Sequence, residues 1–213
     1  MTNRLLDLIK KKYAISAIDC GEFAEMKVSV MKFHISAYKV EGLGQLSIMT
    51  ATGFLGLMKM DTLIINPTEI DLPLYSYDRI FAMGNDTLIV ELYDTLLADF
   101  SEDALNEIKT KYSTLTERDP GEHWYDSIKL KSSISKKGKK PDTETLDEMA
   151  LEHFKVYLDS PADRAIPVEK QKKAGIYVDG LLEKGGPSTD VFKKSIGKEK
   201  TRELFENILF GTK

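Results

Sequence analysis

The chain has one cysteine, Cys20, among 213 residues. A single thiol excludes an intramolecular disulfide framework and any zinc or iron–sulfur site built on several thiolates. Histidine is scarce as well: His34, His123 and His153 are the only three, and none stands at metal-ligand spacing from another, so no metal site is expected. There is no phosphate-binding glycine loop, no nucleophile elbow and no HExxH zinc motif. Long apolar runs are also missing. The opening MTNRLLDLIKKKYA carries charges throughout and reads as neither a secretory signal nor a membrane span. Neither sign of charge dominates. A net charge of −4 gives no global pull toward nucleic acid or anionic membrane. These absences lead to the expectation of a cytoplasmic protein in a reducing compartment, with no nucleic-acid and no membrane partner.

What is present is ordinary for a globular fold: 42% hydrophobic and 30% charged residues, on a chain long enough to bury a real core. Leu5, Leu6, Ile9 and Tyr13 follow helical spacing and predict an amphipathic helix over 3–13. From Met26 the period changes to two. Met26, Val28 and Val30 alternate with polar residues, then Phe33, Ile35 and Ala37 continue in the other phase, which requires a bulge or turn between the two runs. Gly42 and Gly44 mark a hairpin turn. Strands are predicted over 45–52, 57–66, 73–82 and 86–93, with glycines punctuating them. Short strands at hairpin spacing without intervening helices imply an antiparallel sheet.

Helical patterns follow. Ser101, Glu102 and Asp103 open a helix that runs to about Tyr112. Residues 125–133 read as one more strand. Lys136, Lys137, Lys139 and Lys140 read as a basic, flexible link ending at Pro141. Leu146, Met149, Ala150, His153, Phe154 and Tyr157 share one helical face. A further helix covers 168–183 and stops at Gly185-Gly186-Pro187. Ser188 caps a short helix that Gly197 ends, and 199–210 closes the chain. The expected architecture is one domain over residues 1–213, a single-domain α/β/α sandwich around a central, mostly antiparallel sheet.

Two carboxylates stand out against this pattern. Alternation puts Leu74, Ser76 and Asp78 on one face of their strand, and Tyr75, Tyr77 and Arg79 on the other. On the next strand Glu91 shares a face with Ile89 and Tyr93. An acid among apolar neighbours costs free energy unless it is paired or protonated, so both are candidates for a raised pKa. The plain reading of Asp78 is a structural aspartate at a strand end, held by Arg79 or a backbone N–H. The functional one is a proton donor facing a ligand cavity. His34 faces away from Phe33 and Ile35, as a surface histidine or a contact for a ligand carboxylate. His153 reads as a core histidine. His123, beside Trp124, reads as a loop residue or a stacking partner for a planar ligand. The lysines of 129–140 form a solvated loop or a dock for an acidic partner.

A set of motifs then matches a known pattern. Asn66-Pro67, followed by Asp71-Leu72-Pro73-Leu74-Tyr75-Ser76-Tyr77-Asp78, resembles a stretch of the ferredoxin-dependent bilin reductases (red chlorophyll catabolite reductase-like proteins included). Leu88 to Tyr93 is similar to their next strand. Gln171, Lys172 and Tyr177 resemble their "Q…Y" helix, and Val191 to Glu199 with Leu204-Phe205 and Leu209-Phe210 resembles their ending. The likeness covers roughly residues 26–97 and 168–210. It implies an α/β/α sandwich that reduces a linear tetrapyrrole such as biliverdin, by one-electron steps from ferredoxin or flavodoxin, without a resident metal or flavin. It also implies Asp78 as the acid, Glu91 as its partner, and His34, Thr62, Ser76 and Tyr177 as substrate contacts. The sequence departs from the pattern where Thr62 or Asp61 replaces a histidine, where Ser76 replaces a glycine, and where Gly185 or Gly186 replaces a second polar residue. Those departures keep two other readings open: a tetrapyrrole carrier without turnover, and a scaffold with an unrelated role.

Overall fold

The computed structural model describes residues 1–186 and 188–213. The chain starts with helix α1 (Thr2–Lys12) and a short strand β1 (Ile15–Ile18). Then come β2 (Glu25–Val28), β3 (Met31–Val40), β4 (Gly44–Gly53), β5 (Met58–Asn66), β6 (Leu74–Ala82) and β7 (Asn85–Tyr93). Helix α2 (Asp103–Lys111), strand β8 (Ile134–Lys139), and helices α3 (Thr143–Asp159), α4 (Pro167–Lys184), α5 (Thr189–Ile196) and α6 (Lys198–Glu203) complete it, with a π-turn over Leu204–Leu209. No described helix is long and apolar enough to cross a membrane.

All eight strands form one sheet in the order β1-β3-β4-β5-β6-β7-β8, with β2 also paired to β3. Every pairing is antiparallel, and short turns join β2 to β3, β3 to β4, β4 to β5 and β6 to β7. The phase slip between Val30 and Phe33 is a hairpin turn, with Val28 opposite Met31. Both faces of the sheet are apolar and both are covered. On one face α1, α2 and α3 pack over Leu46, Leu63, Tyr75, Tyr77 and Val90. Leu5, Leu6 and Ile9 of α1 are buried there, each contributing about 1.5–3 kcal/mol. On the other face α4, α5 and the π-turn cover Phe33, Met49, Ile64, Leu74 and Tyr93. The result is the α/β/α sandwich around a mostly antiparallel sheet that the patterning predicts.

The structure corrects several local expectations. The last strand lies at Ile134–Lys139, and residues 126–128 form a single 3₁₀ turn. The lysine tract is therefore a strand and no flexible link. Lys136 is buried, donating to the Leu115 carbonyl at 3.2 Å and to Glu117 at 2.5 Å. Strand β1 is too short to show a period, and its pairing with β3 creates it. Ser188 precedes α5 but makes no side-chain capping bond. Gly185 ends α4 at φ 90°, whereas Pro187 lies outside the described residues. His153 is a core histidine, fully buried between Tyr75 Oη at 3.4 Å and the Ser132 carbonyl at 3.2 Å. Burial lowers its pKa to about 4, so the ring is neutral.

Two sets of polar contacts fix what lies over the second face. Ser47 and Asn66, buried on β4 and β5, donate to the carbonyls of Leu209 at 2.8 Å and Phe210 at 2.6 Å. Gln45 donates to the carbonyls of Asn207 and Ile208. The irregular last turn, whose carbonyls have no helical partners, is thereby tied down onto the sheet. The second set holds the Asp71-Leu72-Pro73 segment. Lys170 of α4 donates to the Leu72 carbonyl at 2.6 Å and pairs with Asp71 at 3.2 Å. Tyr157 of α3 donates to the Pro73 carbonyl at 2.9 Å. Burial brings the Lys170 ammonium down to about pKa 8, against the pull of Asp71. Proline has no N–H to offer a ladder, so β6 begins just after it, at a point clamped from both helical layers.

Candidate active site

Register builds the floor of a hollow on the second face. Thr62 of β5 stands opposite Asp78 of β6, and Ser76 of β6 opposite Glu91 of β7. Cross-strand partners share a face, so four polar side chains from three strands gather on an otherwise apolar surface. Met49, Ile64 and Tyr93 complete the floor, Tyr177 and Leu181 of α4 form one wall, and Phe205, Leu209 and Phe210 form the roof. Tyr125, Ser188 and Thr189 close the remaining side. The hollow has a cavity volume of about 90 Å³ and opens to solvent at its mouth, so it is smaller than most small-molecule sites.

The walls are aromatic and mutually braced. Tyr93 stacks on Tyr177 with ring centroids 4.2 Å apart, and Tyr125 meets Tyr93 edge-on at 5.6 Å. Phe210 meets Tyr177 edge-on at 5.9 Å. The loop that brings Tyr125 into place depends on Gly180. A methyl group there would come 2.2 Å from Trp124, whose indole N–H donates to the Gly185 carbonyl at 2.8 Å. His123 stacks on Tyr125 at 4.9 Å rather than facing the hollow.

Asp78 is the chemically distinctive group. Its carboxyl is half-buried by its own surface, but that surface opens into the hollow and the surroundings are protein. Desolvation pushes its pKa up to about 6, and the charge of Glu91 adds to the rise. The hydroxyl of Thr62, donating at 2.5 Å, opposes it. Glu91 is differently held: it accepts from Tyr93 Oη at 2.6 Å and lies 3.6 Å from the Lys129 ammonium. The floor thus carries one compensated carboxylate and one poised to take up a proton near neutral pH.

Of the residues singled out from the sequence, Asp78, Glu91, Thr62, Ser76 and Tyr177 converge on this hollow. His34 does not. It lies on the opposite face of β3, toward α1, exposed and 3.5 Å from Glu25. Alternation from Phe33 and Ile35 already sends it there, so a role as ligand contact is withdrawn. Arg79 is not the partner of Asp78 either: it pairs with Asp86 on the other face. At Gly186 an added Cβ would sit 2.7 Å from the Leu181 side chain, so a second acid has no room there without displacing the wall. The sequence reading missed Tyr93, Tyr125, Thr189 and the Phe205–Phe210 roof as site residues. Tyr93 was legible, since it shares the face of Glu91. Tyr125 gives no local signal, because a loop brings it in. Among the described residues no group of three or more His, Cys, Asp or Glu could hold a metal ion.

No protein-family model matches the chain, and no curated protein sequence does either. The structure does find a counterpart. The crystal structure of tomato phytochromobilin synthase in complex with biliverdin superposes with a TM-score of 0.79, over 99% of this chain and 82% of that one, at 13% sequence identity. The chain therefore shares the fold of that protein over nearly its whole length, while its own side chains must say what chemistry its hollow supports.

Proposed function

We propose that the protein reduces a linear tetrapyrrole of the biliverdin type in the hollow above β5, β6 and β7. The observation that carries this reading is Asp78, a carboxyl with a pKa near 6 on the floor of an aromatic-walled cavity. The fold shared with phytochromobilin synthase, solved with biliverdin bound, supports the ligand class. So does the order of the Asp71–Asp78, Leu88–Tyr93 and Val191–Phe210 motifs in the sequence.

In this scheme electrons arrive one at a time from reduced ferredoxin or flavodoxin. Two electrons and two protons saturate one carbon–carbon double bond of the conjugated ligand. Charge cannot accumulate on a ligand held in a poorly solvated site, so each electron is matched by a proton. Asp78 delivers the first, from the sheet side. The ligand itself covers the mouth when it binds, which removes remaining solvent from Asp78 and raises its pKa further. Glu91, opposite Ser76 and linked through Tyr93 and Lys129, supplies or relays the second. Tyr93, Tyr125 and Tyr177 exclude water from the reacting carbons. The absence of a second polar donor at Gly185 or Gly186 favours a second reading, a carrier that binds the tetrapyrrole without turning it over.

Visible spectroscopy separates the two. Biliverdin mixed with the protein gives a shifted absorption band in either case. Anaerobic addition of reduced ferredoxin then changes the spectrum of the enzyme and leaves that of a carrier unaltered. For the enzyme, Asp78→Asn retains the bound spectrum and slows turnover by roughly 10²-fold or more. Equal rates for variant and parent would remove Asp78 from the mechanism, and no spectral response to biliverdin would remove the ligand class.

A further inference from the structure

The hairpin end of the sheet has its own character. Three hairpin turns come out there side by side: Ser29–Val30 between β2 and β3, residues 54–57 between β4 and β5, and Met83–Gly84 between β6 and β7. Register aligns them, since Val28, Met31, Gly53, Met58, Ala82 and Asn85 form one continuous cross-strand row. With strands about 4.8 Å apart, the turns stand about 10 Å from one another.

The residues at their tips are the wrong kind for a turn in water. Val30, Phe54, Leu55, Leu57 and Met83 at the tips, with Phe81 one row in, are six of the ten large hydrophobic side chains exposed among the described residues, with Leu55 106% and Met83 89% exposed. The backbone sharpens the point. Ser29, Phe54, Leu55 and Met83, with φ of 51–57°, are the four non-glycine residues in the left-handed region among the described residues. That region costs a side-chain-bearing residue conformational energy that glycine avoids. Folding alone would select glycine or asparagine at such positions, so bulky apolar groups there need another reason.

Charge supplies the direction. One row in from the turns, Lys27 pairs across the strands with Lys32, and Lys59 with Phe81. Lys139 ends β8 opposite Asn85. None of these four lysines forms a salt bridge among the described residues. Two like charges directly opposed on neighbouring strands are destabilising. The one carboxylate in these two rows, Asp86, is buried on Arg79. The net negative charge of the whole chain hides this local positive collar.

We propose that this end of the sheet is a docking surface for an anionic lipid membrane. The three apolar tips enter the headgroup–acyl boundary, and the lysine collar meets the phosphate and carboxylate groups above it. Shape favours a lipid surface over an acidic protein. The tips are separate projections, and a protein partner would need three matching pits about 10 Å apart. A fluid interface accepts them in any lateral arrangement. The surface is peripheral and involves no spanning segment.

Vesicle flotation tests it with the full chain. The parent floats with phosphatidylcholine vesicles containing phosphatidylserine, floats far less with phosphatidylcholine alone, and loses binding as salt is raised. Lys27→Glu with Lys32→Glu lowers binding to the anionic vesicles by roughly tenfold or more. Leu55→Gly lowers it by a similar factor. That variant also relieves the positive-φ strain, so its thermal midpoint is expected to stay level or rise, which separates lost docking from lost folding. The proposal is overturned if the parent prefers neither vesicle, or if Leu55→Gly binds as well as the parent. It is also overturned if the parent ignores vesicles but forms a dimer that Leu55→Gly dissolves, or if it binds an acidic protein through these residues and no vesicle.

Discussion

Strand β6 carries two adjacent charged residues with opposite histories. Arg79 points to the face under α3 and is surrounded by acceptors. Its guanidinium meets Asp86 at 2.5 and 2.8 Å, the Thr143 carbonyl at 3.2 Å and Asp147 at 3.5 Å. Only Nη1 lacks a partner. Asp78 points to the other face and has a single donor among the described residues, the Thr62 hydroxyl. Both sites are poorly solvated, and only one of them settles its charge. A fold under selection for stability alone would treat them alike, because an uncompensated buried acid costs free energy. The contrast locates function on the face where the acid is left unfinished.

Breaking the settled side has the largest expected effect. Arg79→Met leaves Asp86 buried without its partner and lowers stability by about 3–5 kcal/mol, readable as a drop in the denaturant midpoint at neutral pH. A midpoint within error of the parent would mean that Asp86 finds another donor or solvent.

Asp78→Asn should move stability in the opposite direction, and by an amount that depends on pH. The folded pKa of about 6 lies above the ordinary aspartate value of 3.8. The folded state therefore holds the extra proton between those values. The carboxyl favours folding fully below pH 4, and that contribution is lost as pH rises through 6. Relative to the parent, the variant gains on the order of 3 kcal/mol at pH 7 to 8 and nothing at pH 4. Denaturant titrations at the two pH values check this. A gain independent of pH would place the cause in packing rather than in charge.

Thr62→Val sharpens the comparison with the smallest change. It removes the one bond that favours the charged form of Asp78, so the pKa of the acid rises by roughly one unit. Carboxyl infrared titration reads that shift. No change would mean that water replaces the hydroxyl.

How much of this was legible in the sequence follows from which interactions are local. The pleat alone sorts Leu74, Ser76 and Asp78 from Tyr75, Tyr77 and Arg79, and Ile89, Glu91 and Tyr93 from their neighbours. The same rule sends His34 away from the hollow. Alternation does not say which face is filled by helices and which keeps a cavity, because both faces of this sheet are apolar. Lys136 shows the limit from the other side. A lysine tract reads as solvated until Glu117 and the Leu115 carbonyl, distant in sequence, arrive to make it part of a strand.

The sequence by itself determined the central run of hairpin strands, the main helices and the side of the sheet on which each carboxyl stands, since period and turn chemistry act between near neighbours. Only the tertiary structure decided that Thr62, Asp78 and Glu91 share a hollow, that Phe210 roofs it, and that Arg79 is spoken for elsewhere. Those outcomes depend on cross-strand register and on desolvation by helices more than a hundred residues away, which no local pattern records.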